Sequence, residues 1–131
     1  ILEFAFDSDE ENDYLPHNYD SNCVVYTGTH DNDTVMGWYT SAKNTDKKHI
    51  REYLGIKSAA NINWDLIRLA QQSVADTAII PIQDCLGLGN EARINLPSTL
   101  GTNWKWRMQS GACTPELAAK LYHMAKLYGR I

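Results

Sequence analysis

The chain has 131 residues, enough for one domain with a sizeable core. Its 16 acidic and 12 basic residues leave a net charge of −4, which argues against a surface built for nucleic-acid phosphates. Apolar residues at 44% and charged residues at 21% exclude a disordered chain, and no apolar run approaches the roughly 18 residues that span a bilayer.

No basic stretch followed by an apolar one opens the chain, so export is not expected, and neither is a membrane or nucleic-acid partner. Cys23, Cys85 and Cys113 are odd in number and scattered, which reads as reduced thiols in a cytoplasmic protein. Paired Cys and His spacings are lacking, so neither a metal nor a cofactor is expected.

Ile1 to Phe6 reads as a first strand, apolar on both faces except at Glu3. A chain that starts inside a strand, with no methionine or cap before it, is expected to be a piece of something longer. Asp7 to Asn22 is a loop rich in turn formers. Asp7, Asp9 and Glu11 imitate the alternate ligands of a calcium loop. Asn12 stands where such a loop needs glycine, and no twelfth-position Glu follows, so a solvated acidic loop is the better reading.

Cys23 to Thr29 is the second predicted strand, too continuous and too β-branched to be half-exposed, and therefore read as buried on both faces. It delivers His30, Asp31, Asn32 and Asp33 in succession. In parallel α/β folds, ligands gather at the carboxyl ends of the strands. Thr34 to Tyr39 opens a helical turn. A helix over Asp46 to Leu54 follows, with Thr45 as N-cap and Gly55 as its stop. Asn63 is predicted to cap a helix from Trp64 to Ala75, whose Ile67, Ala70 and Val74 recur at helical spacing.

Thr77 to Gln83 is the third predicted strand, with Pro81 marking its end or a bulge. Strands alternating with helices predict an α/β fold with a parallel sheet. Asp84 to Gly111 is mostly irregular, and its Leu86, Leu88, Trp104 and Trp106 need something to pack against. The last helix is the best defined: Thr114 caps it, Pro115 sits at its first position and Gly129 ends it. Leu117, Leu121, Met124 and Tyr128 form its buried stripe.

Three patterns carry candidate chemistry. Gly87-x-Gly89-x-x-Ala92 imitates a dinucleotide fingerprint, but Pro97, Ser98 and Gly101 arrive too soon for the helix that must hold the pyrophosphate. His30 and Asp31 are either a working pair or a satisfied pair that caps the next helix. A metal site of His30, Asp31 and Asp33 trails both, since no second cluster completes it. Trp104-Lys105-Trp106-Arg107, if extended, puts both indoles on one face, where they suit sugar rings or simply anchor the loop.

YTGTHDNDT followed by GW, then PIQDCLGLGNEARINLP, then GTNWKWR, resembles the C-terminal part of glycoside hydrolase family 77, the 4-α-glucanotransferases or amylomaltases. Several long motifs in the right order carry this resemblance over essentially the whole chain. It implies that residues 1–131 are the C-terminal segment of a single (β/α)8 catalytic barrel, with about three of its strands and no second domain. It implies an enzyme that transfers α-1,4-glucan segments between maltooligosaccharides with retention, holding the glucan on a carboxylate in between.

By motif, Asp31 matches the transition-state-stabilising acid of the seventh strand, His30 the histidine that binds the same sugar, and Asn95 a donor-side contact. Ile1 to Phe6 would be the sixth strand and Thr77 to Gln83 the eighth. The nucleophile and the acid/base belong to segments outside this chain, so the isolated chain is expected to be inactive and to self-associate through open sheet edges. The alternative from another class is a non-catalytic glucan-binding or interaction module using Trp104, Trp106 and His30.

Overall fold

The computed structural model describes all residues, 1–131. β-Branched and aromatic side chains make β1 of Val24–Tyr26, and it pairs in parallel with β2, Thr77–Ile79, with Val25 opposite Ala78. Parallel strands need a long crossover. Here it holds three helices: α1 (Val35–Ser41), α2 (Asn44–Leu54) and α3 (Ile62–Gln72). A short α4 (Ile82–Cys85) follows β2, and α5 (Pro115–Leu127) closes the chain. The α/β class and the parallel pairing are those expected.

The expected first strand, Ile1 to Phe6, is not formed. Leu2–Phe4 is a turn of 3-10 helix, and the sheet has two strands. One backbone bond, Glu3 N–H to Thr27 O at 3.2 Å, links this segment to the end of β1, and one rung is not a ladder. Its buried residues are Leu2, Glu3, Ala5 and Phe6, a pattern that a turn of helix satisfies as well as a strand. For the same reason β1 is not covered on both faces: Val25 is fully buried and Val24 is exposed. β2 stops before Pro81, as a strand must where the next N–H is missing, and Ile82 and Gln83 belong to α4.

The helix signals held in part. Gly55 is left-handed (φ 66°) and receives the end of α2, which begins earlier than expected, at Asn44, with Lys43 in the cap position. Asn61, not Asn63, stands before α3, and the Asn63 side chain crosses to Asp84 O (2.8 Å). Thr114 caps α5 by accepting from Leu117 N–H (3.2 Å).

The main core joins Leu2, Phe6, Leu15, Val25, Val35, Ile50, Ile62 and Leu66. Complete burial of one such side chain contributes about 2 kcal/mol. On its other side, α3 packs Ile67 against Cys85 and Met124, which docks α5. Polar straps secure that contact. Lys120 Nζ sits 3.5 Å above the Trp64 ring, and Arg68 donates to the Tyr128 hydroxyl (2.7 Å). Arg130 donates to the carbonyls of Ala70, Gln71, Ser73 and Ala75 at the end of α3.

Candidate functional site at the end of the first strand

β1 runs into Thr27, Gly28 and Thr29, and the polar cluster begins where the sheet stops. The turn is locked from within, because Asn32 Oδ1 accepts both the N–H (2.8 Å) and the hydroxyl (2.7 Å) of Thr29. Beneath it lies Asp84, 1% exposed. Its carboxylate accepts from the Thr27 hydroxyl (2.6 Å) and from Val35 N–H (2.8 Å), joining the end of β1 to the start of α1. Burial pushes the Asp84 carboxyl up, and those two donors pull it back.

Residues 93–95 run alongside residues 30–33 and hold them. Asn95 N–H donates to His30 O (3.1 Å) and Asn95 Nδ2 to Asp31 Oδ1 (2.6 Å). Arg93 forks, donating to Asp31 O (2.6 Å) with one nitrogen and pairing with the Asp33 carboxylate through another. His30 Nε2 lies 3.3 Å from Asp31 Oδ1. Asp31 therefore has one engaged oxygen, while Oδ2 has no hydrogen-bond partner in the protein, on a side chain 46% exposed.

The His30 imidazole lies against the Trp104 indole, with centroids 5.1 Å apart and planes at 37°. A cleft of about 440 Å3 opens there, walled by Tyr26, Thr29, His30, Ile94, Trp104 and Trp106. Asp31 adjoins it through His30 and is not itself a wall. A cleft of about 460 Å3 between α2 and α3, around Tyr53 and Arg68, contains none of the predicted residues.

The structure brings together His30, Asp31 and Asn95, the three residues singled out in the sequence. The capping reading of His30 and Asp31 fails: α1 is capped by Thr34, whose hydroxyl accepts from Gly37 N–H (3.2 Å), with Asp84 and Asn90 taking the N–H groups of Val35 and Thr34. The metal reading fails too, since Arg93 occupies Asp33 and no group of three or more His, Cys, Asp or Glu is placed to hold an ion. After Gly89 the chain makes one 3-10 turn, Asn90–Ala92, and then extends, so no helix awaits a pyrophosphate.

Sequence reasoning missed Arg93 and Asp84, the two residues that fasten the site. A signal existed for Arg93, which lies two positions before Asn95 and so on the same side of an extended segment. Glu3 was also passed over. It is 6% exposed, its Oε1 has no partner, and a Cβ on Gly28 would lie only 2.6 Å from that oxygen. Burial first, then Asp84 and Asp33, push the Glu3 carboxyl up to about 9, with Arg93 opposing them.

Parallel strands, a helical crossover and a polar cluster at the strand carboxyl ends define the class: an α/β protein with its site at a strand-end cleft. The comparisons with known proteins are specific. The glycoside hydrolase family 77 model, described as 4-alpha-glucanotransferase, matches residues 1–114, and the chain belongs to that family. It is 52% identical to the 4-alpha-glucanotransferase of Clostridium butyricum over 99% of this chain and 27% of that one. It is 46% identical to the chloroplastic/amyloplastic enzyme of Solanum tuberosum over 100% of this chain and 23% of that one. The structure matches an amylomaltase from Streptococcus agalactiae in complex with acarbose, with TM-score 0.93, 32% identity, and coverage of 98% of this chain and 26% of the other. The chain thus spans about a quarter of the length of these relatives.

Proposed function

We propose that this chain is the C-terminal segment of a (β/α)8 catalytic barrel that transfers α-1,4-glucan segments between maltooligosaccharides with retention. A barrel takes roughly 250 residues, so the remaining strands, with the nucleophile and the acid/base, belong to other segments of the enzyme. Asp31 is the transition-state stabiliser, His30 a contact to the same sugar and Asn95 a donor-side contact.

The observation that carries this reading is the divided carboxylate of Asp31: Oδ1 accepts from Asn95 with His30 Nε2 3.3 Å away, and Oδ2 is free. Retaining transfer uses two carboxyl groups roughly 5 Å apart, one as nucleophile and one as acid/base. A third acid contributes by accepting hydrogen bonds from ring hydroxyls. As the ring flattens towards an oxocarbenium ion those hydroxyls become better donors, and a fixed carboxylate binds the transition state more tightly than the ground state. The Asn95 hydrogen bond supplies that fixity, with His30 beside it. The cleft beside them is walled by aromatic rings and a few polar groups, which suits a sugar's apolar faces and hydroxyl rim.

The test is product analysis with maltotriose. The full-length enzyme is expected to make longer maltooligosaccharides whose new linkages keep the α configuration by proton NMR, and Asp31→Ala to abolish them. The 131-residue chain alone is expected to make none. Near-normal turnover by Asp31→Ala, or elongation by the isolated chain, overturns the assignment.

A further inference from the structure

We propose that Trp104 is a positioning residue, one that seats its indole on His30 and so fixes the His30–Asp31 pair against the sugar. The proposal rests on the functional reading above. Trp104 has φ 62°, the left-handed region that a bulky side chain avoids and glycine enters freely. Backbone strain of this kind persists only where the surroundings impose it, and it collects at working sites. Two hydrogen bonds impose it here: Trp104 N–H donates to Ile94 O (2.7 Å), and Arg107 donates to Trp104 O (3.1 Å).

Burial does not offset the strain, because the side chain is 58% exposed. It is more exposed than Trp106, which is half-buried. The Trp104 ring lies tilted against His30, with centroids 5.1 Å apart, and Nε2 of that imidazole is 3.3 Å from Asp31 Oδ1. The ordering runs from a strained backbone through an exposed indole to an imidazole and then to the acid.

Trp104→Gly in the full-length enzyme separates this role from a structural one, since glycine accepts the same φ and loses only the ring. The expected result is a melting temperature unchanged or raised, with kcat lower by roughly 10- to 100-fold. The His30 ring protons should move downfield by NMR as the indole ring current is lost, and Trp104→Phe should restore most of the rate. Combined with His30→Ala, Trp104→Gly should add little further loss, because both act through one imidazole. Should Trp104→Gly fold poorly, Trp104→Asn, also at ease at positive φ, is read by the same criteria. Normal turnover by Trp104→Gly, or losses that multiply with those of His30→Ala, overturns the proposal. Asp31→Asn is the control: if it too turns over normally, the functional reading itself fails, whereas its loss beside an active Trp104→Gly removes the Trp104 role alone.

Discussion

Asp31 and Glu3 are both carboxylic acids near one strand end, and their surroundings assign them opposite behaviour. Asp31 is half-exposed and keeps one oxygen free of hydrogen bonds within the protein. Glu3 is buried beside Asp84 and Asp33, and its pKa stands near 9 against an ordinary value near 4.5. The folded protein therefore holds a proton that the unfolded chain releases above about pH 4.5. Linkage then makes stability fall as pH rises between those two values, the contribution being complete below the lower and gone above the upper. Glu3→Gln, neutral at every pH, is expected to flatten this part of the urea-midpoint profile between pH 5 and about 9. A wild-type profile without that decline, or one that Glu3→Gln leaves unaltered, contradicts the protonated state. The polar cluster after β1 was legible from its place behind an apolar run. The roles of Arg93 and Asp84 were not, because their partners lie about sixty residues away and no local pattern encodes such distances.

At the scale of elements, the signals that survived were local ones. Thr114 and Pro115 open α5, Gly55 closes α2, and Pro81 ends β2, each through backbone chemistry contained within a few residues. Ile1 to Phe6 misled because strand and helix both suit an apolar run, and a single backbone bond to the end of β1 does not make a ladder. Val74 misled in another way: it keeps helical spacing with Ile67 and Ala70, but α3 has ended at Gln72 and Val74 is exposed. What fixes that end is Arg130, whose guanidinium collects the terminal carbonyls of α3 and the approach to β2. Arg130→Ala is expected to cost about 2–3 kcal/mol in urea unfolding, charge-assisted bonds being the stronger kind. A change under about 0.5 kcal/mol, the range of ordinary surface substitutions, would show that Arg130 is not the fastener described.

For the molecule as a whole, the sheet is the weak point. Two parallel strands leave one unpaired edge each, and Val24 and Ile79 are exposed on its faces. Such edges template pairing with another chain. The isolated 131-residue chain is expected to show concentration-dependent association in analytical ultracentrifugation, weakened by Ile79→Lys. A monomer at all concentrations would mean that the edges are already protected. In a closed barrel both edges would be paired, so this behaviour belongs to the isolated chain and not to the enzyme proposed for it. The family was legible in the motifs, which are contiguous words. The geometry that makes them work was not, because it depends on two distant segments lying side by side.

In the proposed function, Asp31 binds a sugar more strongly as that sugar becomes cationic. Steady-state kinetics of Asp31→Asn in the full-length enzyme, with maltotriose as donor and acceptor, tests it most directly. The expected result is a kcat lower by at least about 100-fold while KM changes only a few-fold, the signature of an interaction realised in the transition state. A raised KM with kcat intact would show that Asp31 merely holds substrate, and would contradict it.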